Sequence, residues 1–245
     1  MKLATVFCAV NDNPEYYRFI PKQITFWRKF GIRFVAAFVG QSLPAELIPY
    51  SHSIILWHRN ADLNSAFVAQ NLRLYYPALL NVADDEAVMI TDMDMLPMSP
   101  TYYTAGLENY AKEDFIYYRH VDGNQIYMCY NAAHPHTWGA IFGIKSDTDV
   151  ERALYANYAA GYNGIPGSTG WFKDQEVLYQ KLIYYPRLRV LNRPIRRLEV
   201  WTYIQRLQQG HTHFIGEYDD AHFHRSYNRN QFLIADAEGQ LLSSK

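Results

Sequence analysis

Long apolar runs are absent from this 245-residue sequence. The longest unbroken run, 34–39, has six residues, whereas a membrane-spanning helix needs about 20. The apolar stretch 3–10 leads into the polar segment 11–14 without a small-residue cleavage site, which favours a β-strand over a signal peptide. We therefore expect a cytoplasmic protein without a transmembrane segment.

Cysteine and excess charge are also scarce. Cys8 and Cys129 lie in apolar segments and not at disulfide or metal-site spacing, which favours buried, reduced thiols. Lys plus Arg total 23 against 24 for Asp plus Glu, so no cationic excess is available to bind a nucleic acid. With 49% hydrophobic and 19% charged residues, the chain has the composition of a folded protein with a sizeable core.

Strand and helix patterns alternate in the first two fifths of the chain. Strand patterns at 4–10, 32–39, 53–57 and 87–91 are separated by helical patterns at 17–30 and 64–76. This order predicts an α/β fold: a Rossmann-like, mainly parallel central sheet flanked by helices, with ligands at the carboxyl ends of the strands. No segment has the composition of a linker, so we expect one domain over 1–245.

The second part of the chain, 101–245, is less regular. The patterns predict short strands near 115–118, 126–130 and 140–144, and helices near 148–160 and 173–184. A Gly-rich bend lies between those helices, at 161–170, and the tail after Pro186 has the pattern of irregular strands. We expect this part to form a smaller, irregular half of the domain.

The most specific motif is a pair of aspartates after an apolar strand. Asp92 and Asp94 are two residues apart, so in an extended chain their carboxylates project from the same face. Paired carboxylates repel each other unless a cation lies between them, and Mg²⁺ or Mn²⁺ with diphosphate oxygens suits such a site. The alternative is two solvated aspartates in a turn; the position at a strand's carboxyl end favours the metal site.

Asp174 lies in the first turn of a predicted helix, close to Trp171. One interpretation is simple capping of the helix, because a carboxylate is stabilised near a helix N-terminus. The other is a general base with an aromatic wall on which a sugar ring stacks. The sequence leaves both interpretations open.

Two histidines in the tail are a further candidate site. His222 and His224 share one face of a predicted strand, where either could complete a metal site, and Arg225 could neutralise a phosphate. The alternative is an exposed polar strand. Arg73, on the helix before the Asp-x-Asp strand, could reach a phosphate or orient an aspartate, although an arginine on a helix is more commonly a solvated charge. The polar and aromatic segment 130–138, with Asn131, His136 and Trp138, would suit a polyhydroxylated ligand.

The order of these features resembles glycosyltransferases of the GT-A fold, which use nucleotide-sugar donors and a divalent metal. The resemblance covers most of the chain, but only the Asp-x-Asp region is specific. It implies a nucleotide-sugar-binding half at 1–100 and an acceptor-binding half with the tail at 101–245. It assigns the metal Mn²⁺ or Mg²⁺ to Asp92, Asp94 and His222, with His224 as a further candidate. It assigns the donor to Val10, Asn11, Arg73, Asp92 and Arg225, and the base to Asp174. From their polar and aromatic character, we expect the acceptor to contact Asn131, His136, Trp138 and Trp171.

Some features of that family are missing from the chain. No Gly-rich phosphate loop is present, so the diphosphate would depend on the metal and on basic side chains. The stem, membrane anchor and luminal disulfides of Golgi members are also missing. The resemblance implies hexosyl or pentosyl transfer to a glycan hydroxyl, with inversion if Asp174 acts as the base. If Asp174 lies too far from the attacking hydroxyl, the resemblance favours retention.

Two other classes of protein fit parts of the sequence. A haloacid-dehalogenase-like phosphatase also has Asp-x-Asp after an apolar strand, but its motif has Thr or Val where this chain has Leu96 and it usually follows the first strand. A non-catalytic carbohydrate-binding module could use calcium at the aspartates, and it would need neither Asp174 nor an α/β sheet. Stabilisation by nucleotides distinguishes the three classes.

Overall fold

A computed structural model describes residues 1–58, 62–224 and 227–243. The strands are β1 (Lys2–Asn11), β2 (Arg33–Val39), β3 (Ile54–Trp57), β4 (Glu86–Ile90), β5 (Met95–Pro97), β6 (Phe115–Tyr117), β7 (Asn131–Ala133), β8 (Leu188–Val190), β9 (Arg197–Glu199) and β10 (Asp220–His222). The helices are α1 (Pro14–Tyr17), α2 (Ile20–Lys29), α3 (Ser65–Tyr75), α4 (Pro100–Thr104), α5 (Pro135–Phe142), α6 (Asp147–Asn157), α7 (Lys173–Leu182), α8 (Val200–Gln208) and α9 (Tyr227–Ser243).

The central sheet of the described residues has seven strands, in the order β3-β2-β1-β4-β7-β6-β8. Strands β3, β2, β1 and β4 are mutually parallel. Strand β7 runs antiparallel to both β4 and β6, and β8 is parallel to β6. Of these seven strands β7 alone is reversed, so the other six bring their carboxyl ends to one edge. This arrangement confirms the expected α/β class with a mainly parallel sheet.

Strand β1 is covered on both faces because its residues alternate between two hydrophobic clusters. Val6 and Cys8 belong to one cluster, which also contains buried residues of α2 and α9. Phe7 and Ala9 belong to the other, which contains buried residues of α3, α5, α6 and α7. The helices therefore form a layer on each side of the sheet.

The helices of the first half lie close to the predicted ones, with shifted bounds. The helical pattern at 17–30 corresponds mainly to α2, which begins at Ile20 with Pro21 in its first turn, while the separate short helix α1 ends at Tyr17. The side chain of Asn64 accepts a hydrogen bond from the Ala66 amide and caps α3. Gly31, with φ of +73°, follows α2 and turns the chain into β2.

Three expectations for the second half are wrong. Residues 126–130 form no strand, since 128–130 are bends, and the strand of that region is β7. Residues 140–142 belong to α5, because Trp138 and Phe142 are one helical turn apart and both pack in the core. The tail contains α8 and the 17-residue α9 in addition to short strands.

A small second sheet joins the tail to the strand after the Asp-x-Asp motif. Strand β10 is its centre, antiparallel to β5 and parallel to β9. Among the described residues, no helix combines the length and the apolar character needed to cross a membrane. Cys8 and Cys129 are both free and buried, as expected.

Candidate active site

A cleft of about 540 Å³ opens at the carboxyl ends of the parallel strands. Val10 and Asn11 reach it from the end of β1, Asp92 and Asp94 follow β4, and Arg119 follows β6. The ligand site of an open parallel sheet is expected at this edge. The cleft also brings together His222, His224, Trp171, Arg73 and Asp174.

Arg73 links two carboxylates at the base of the cleft. Its Nη2 lies 2.9 Å from Asp174 Oδ2, and its Nη1 donates to Asp92 Oδ1. Arg73 is 8% exposed and Asp174 1%. Because the planar guanidinium presents its donors in a fixed fork, it sets the relative positions of the two acids. Arg73 therefore joins Asp92 and Asp174 in one cluster of charges.

The carboxylate of Asp174 is enclosed by these contacts. Besides the Arg73 contact, its Oδ1 accepts a hydrogen bond of 2.8 Å from the Gln175 amide. Burial raises the pKa of Asp174 to about 6, although the Arg73 guanidinium opposes that shift. Asp174 lines the cleft, although its exposed fraction is only 1%. These two contacts hold the carboxylate beside Arg73, and the base role of Asp174 stays a prediction.

Asp94 and His222 meet because β5 and β10 are paired. His222 is the register partner of Met95, and the Phe223 amide donates to the Asp94 carbonyl over 2.9 Å. The Nε2 atom of His222 lies 3.6 Å from Asp94 Oδ2. Two residues that are 128 positions apart in sequence are thus held side by side by strand pairing.

Glu199 completes this group from the neighbouring strand. It is the register partner of His222 in β9, and its Oε2 lies 3.5 Å from His222 Nδ1 and 2.9 Å from His224 Nε2. Ligand atoms of Glu199, His222 and His224 all lie within 4.8 Å of one another. Sequence reasoning missed Glu199, because the pairing of β9 with β10 is a tertiary feature.

The donor set fits the divalent metal that the Asp-x-Asp motif predicts. A carboxylate from Asp94 and an imidazole from His222 are ligand types that suit Mn²⁺. Burial lowers the pKa of His222, but the hydrogen bond and charge of Asp94 outweigh it, so the pKa is raised. The negative charge of Asp94, which raises this pKa, also favours the binding of a metal cation beside it. Asp92 is less available, because its Oδ1 is bound to Arg73.

Several predicted acceptor residues do not reach the cleft. Trp138 is fully buried and donates from Nε1 to the Val88 carbonyl over 3.2 Å, so it is a core residue. Asn131 is also fully buried, and its Nδ2 donates to the carbonyls of Tyr127 and Met128. His136 is exposed on α5 and does not line the cleft. These three predictions are corrected; Trp171 lines the cleft as expected, and Arg225 lies outside the described residues.

The cleft contains polar residues that sequence reasoning missed. Gln175 lines it, and its Oε1 is buried without a hydrogen-bond partner among the described residues. Arg119 and Arg197 also line it. Arg119 follows the apolar strand β6 as Asp92 follows β4, so its position after an apolar run was the signal that could have identified it.

Solved structures with the same fold are glycosyltransferases. The galactosyltransferase LgtC, solved with donor and acceptor sugar analogues, matches at a TM-score of 0.50 and 12% identity, over 98% of this chain and 97% of that chain. An active-site mutant of LgtC matches at 0.50 and 10% identity, over 98% and 97%. The glycosyltransferase GlyE of Streptococcus pneumoniae TIGR4 matches at 0.50 and 13% identity, over 97% of this chain and 61% of that chain.

The sequence itself has no such match. No protein-family model matches it, and neither does any curated protein. The structural likeness nevertheless extends over almost the whole chain of LgtC. The chain therefore has a GT-A-like α/β fold, with its charged cleft at the carboxyl edge of the sheet.

Proposed function

We propose that this chain transfers a hexosyl or pentosyl group from a nucleoside-diphosphate sugar, such as a UDP- or GDP-sugar, to a hydroxyl of a glycan acceptor. The observation that carries the proposal is the meeting of Asp94 and His222 in the cleft, beside the cluster of Arg73, Asp92 and Asp174. Together with a fold similar to that of known glycosyltransferases, this charge pattern suits a metal-bound diphosphate.

The proposed metal site consists of Asp94 and His222, with His224 and Asp92 beside them. These residues would hold Mn²⁺ or Mg²⁺, and the bound ion would offset the negative charge that develops on the leaving phosphate. Glu199 would accept a hydrogen bond from His222 Nδ1 and so direct Nε2 towards the ion. Arg225 stays a predicted phosphate contact.

The rest of the cleft would hold the two sugars. Val10 and Asn11, at the end of β1, are proposed to contact the nucleotide, and Trp171 offers an apolar wall for a sugar ring. Arg73 would keep Asp92 in place beside the donor. The buried Oε1 of Gln175, which has no hydrogen-bond partner in the described part of the chain, would accept a hydrogen bond from a substrate hydroxyl.

The contacts of Asp174 bear on the stereochemistry. Inversion with Asp174 as base requires that carboxylate to contact the attacking hydroxyl, whereas its exposed fraction is 1%. We therefore propose retention of the anomeric configuration, with Asp174 positioning Arg73. NMR of the product distinguishes the two: the donor's own configuration supports retention, and the opposite configuration would restore Asp174 as the base.

The test of the function is a screen of UDP-, GDP- and TDP-sugars for hydrolysis or transfer with and without Mn²⁺. We expect activity with one donor class, its loss in excess EDTA, and its loss in Asp94→Asn with the fold intact. Asp84→Asn is the matched control, because Asp84 is exposed and outside the cleft. Full activity in EDTA would refute the metal requirement, and failure of every nucleotide to stabilise the protein would refute the donor class.

Two other functions were compatible with the sequence. In a phosphatase Asp92 would be the nucleophile, but here its carboxylate is held by Arg73, which argues against that role. A calcium-dependent carbohydrate-binding module would need no buried Arg73–Asp174 pair beside its cation site. The nucleotide screen separates both from a transferase.

A further inference from the structure

Arg119 lines the cleft, and the proposed donor chemistry gives it no role. It lies two residues beyond the end of β6 and is partly buried. Its guanidinium carbon is 4.3 Å from the centre of the Tyr127 ring, and its Nη1 lies 3.5 Å from the sulfur of Cys129. The side chain is therefore held between a ring and a thiol.

Unlike the other arginines of the cleft, Arg119 forms no ion pair with a described carboxylate. Arg73 is paired with Asp92 and Asp174, and Arg197 with Asp220 at 2.6 Å. Burial raises the pKa of Cys129 to about 11, so this neighbour is an uncharged thiol at neutral pH. Neither described contact of Arg119 carries a negative charge.

The ring beneath Arg119 is fixed in place. The Tyr127 hydroxyl donates to Asp122 Oδ2 over 2.6 Å, and the Tyr127 amide donates to the Tyr117 hydroxyl over 3.1 Å. A guanidinium stacked on a fixed ring loses little further freedom when it binds a ligand. Arg119 is thus a preorganised cation facing the cleft, in a place where an unpaired charge is costly.

We propose that Arg119 binds an anionic group, a carboxylate or a phosphate, on a sugar substrate of this cleft. The inference rests on the proposed function, because it takes the cleft to be a sugar site. The donor diphosphate has its own counter-charge at the metal site of Asp94 and His222, which leaves Arg119 for an anion on a sugar. A planar guanidinium matches either group with two parallel hydrogen bonds.

Two binding experiments, each comparing the wild type with Arg119→Gln, test this proposal. The first measures binding of UDP, UDP-glucose and UDP-glucuronate in the presence of Mn²⁺. The second uses saturation-transfer NMR on free glucuronate, galacturonate, N-acetylneuraminate and glucose 6-phosphate, against glucose and galactose. Arg152→Gln is the control that removes a charge elsewhere, since Arg152 is exposed on α6 and does not line the cleft.

We expect the wild type to bind at least one acidic sugar more than about tenfold tighter than its neutral counterpart, and Arg119→Gln to remove that preference. Affinity for UDP and for neutral sugars should stay within about twofold, as should all affinities of Arg152→Gln. If the protein prefers UDP-glucuronate over UDP-glucose, the anion lies on the transferred sugar. If it prefers acidic over neutral sugars only when they are free, the anion lies on the acceptor.

Two outcomes would overturn the inference. Equal weakening of UDP, UDP-glucose and UDP-glucuronate by Arg119→Gln would assign the guanidinium to the diphosphate. The absence of any preference for an acid that depends on Arg119, in both comparisons, would assign it a structural role. Failure of the proposed function has a different signature: no nucleotide binds, while the free sugars still report on Arg119.

Discussion

Glu199 touches both histidines of the proposed metal site, from a strand that the sequence did not connect with them. A carboxylate on the second ring nitrogen fixes the orientation of a metal-binding imidazole, and its loss lowers metal affinity by about 10- to 100-fold. We expect Glu199→Gln to weaken Mn²⁺ binding by this amount without substrate present. Electron paramagnetic resonance of free Mn²⁺ measures this directly.

The control for that experiment is Glu217→Gln, which removes an exposed ion pair with Arg206. It should leave the Mn²⁺ affinity and the unfolding midpoint unchanged, because exposed ion pairs contribute about 0–1 kcal/mol. Equal Mn²⁺ affinity in wild type and Glu199→Gln would show that His222 does not need this carboxylate.

The two thiols should be inert in the folded protein. Burial raises the pKa of Cys8 to about 12 and that of Cys129 to about 11. A thiol reagent at pH 8 should therefore label neither in buffer and both in urea, since the thiolate is the reactive form. Rapid labelling of the native protein would contradict this placement.

The same shifts predict a pH dependence of stability. In the folded state both thiols keep their protons to higher pH than in the unfolded state, where the pKa is about 8.5. The unfolded state loses protons first, so the free energy of unfolding should fall as pH rises from about 9 to 11. Replacing both cysteines by alanine should reduce that slope in urea titrations.

Gly170 sets the start of α7 and with it the position of Asp174. Its φ is +77°, and an added Cβ would lie 2.5 Å from the Ala159 Cβ. Gly170→Ala should therefore cost about 1–2 kcal/mol for the backbone and about 1–3 kcal/mol more for the overlap. Urea unfolding measures the sum.

Gly167 offers a matched control for the overlap. Its φ of +76° is nearly the same, but an added Cβ would meet nothing within 4 Å. Gly167→Ala should cost only the backbone part, about 1–2 kcal/mol. Equal losses of unfolding free energy in the two variants would mean that small shifts relieve the overlap with Ala159 at no cost.

Elements whose residues pack by a local pattern could be predicted from the sequence. The alternation of Val6 and Phe7 between two faces and the cap at Asn64 are of this kind. The strand expected at 140–144 failed because a short apolar run fits a helix as well as a strand. Asp92, Asp94 and His222 could be identified as candidates by type and spacing. Glu199 could not, because only the β9–β10 pairing brings it near.

Helix α9 ties the tail to the first half of the molecule. Lys22 of α2 and Glu238 of α9 pair at 2.5 Å, while Tyr203 of α8 donates to Asp236 over 2.8 Å and joins α9 to the rest of the tail. Ile234 of α9 is fully buried in the cluster that also contains Cys8. Ile234→Ala should therefore destabilise the whole fold by about 2–5 kcal/mol.

Two probes show whether that loss is global. Far-ultraviolet circular dichroism follows the helices, and thiol labelling follows the interior of the fold through Cys8 and Cys129. Because the clusters on both faces share the strands of one sheet, the two urea transitions should shift together in Ile234→Ala. A shift seen by only one probe would mean that α9 unfolds on its own.

The proposed metal site restricts where residues can be inserted into the chain. Asp94 and His222 meet through three register pairs between β5 and β10, and adding or removing one residue within a strand moves its side chains to the opposite face. A single-codon insertion inside 220–222 would therefore separate the two ligands. Insertions in the exposed turn at 123–124 would leave the pairing unchanged, so the sequence can vary in length there without disturbing the proposed cation site.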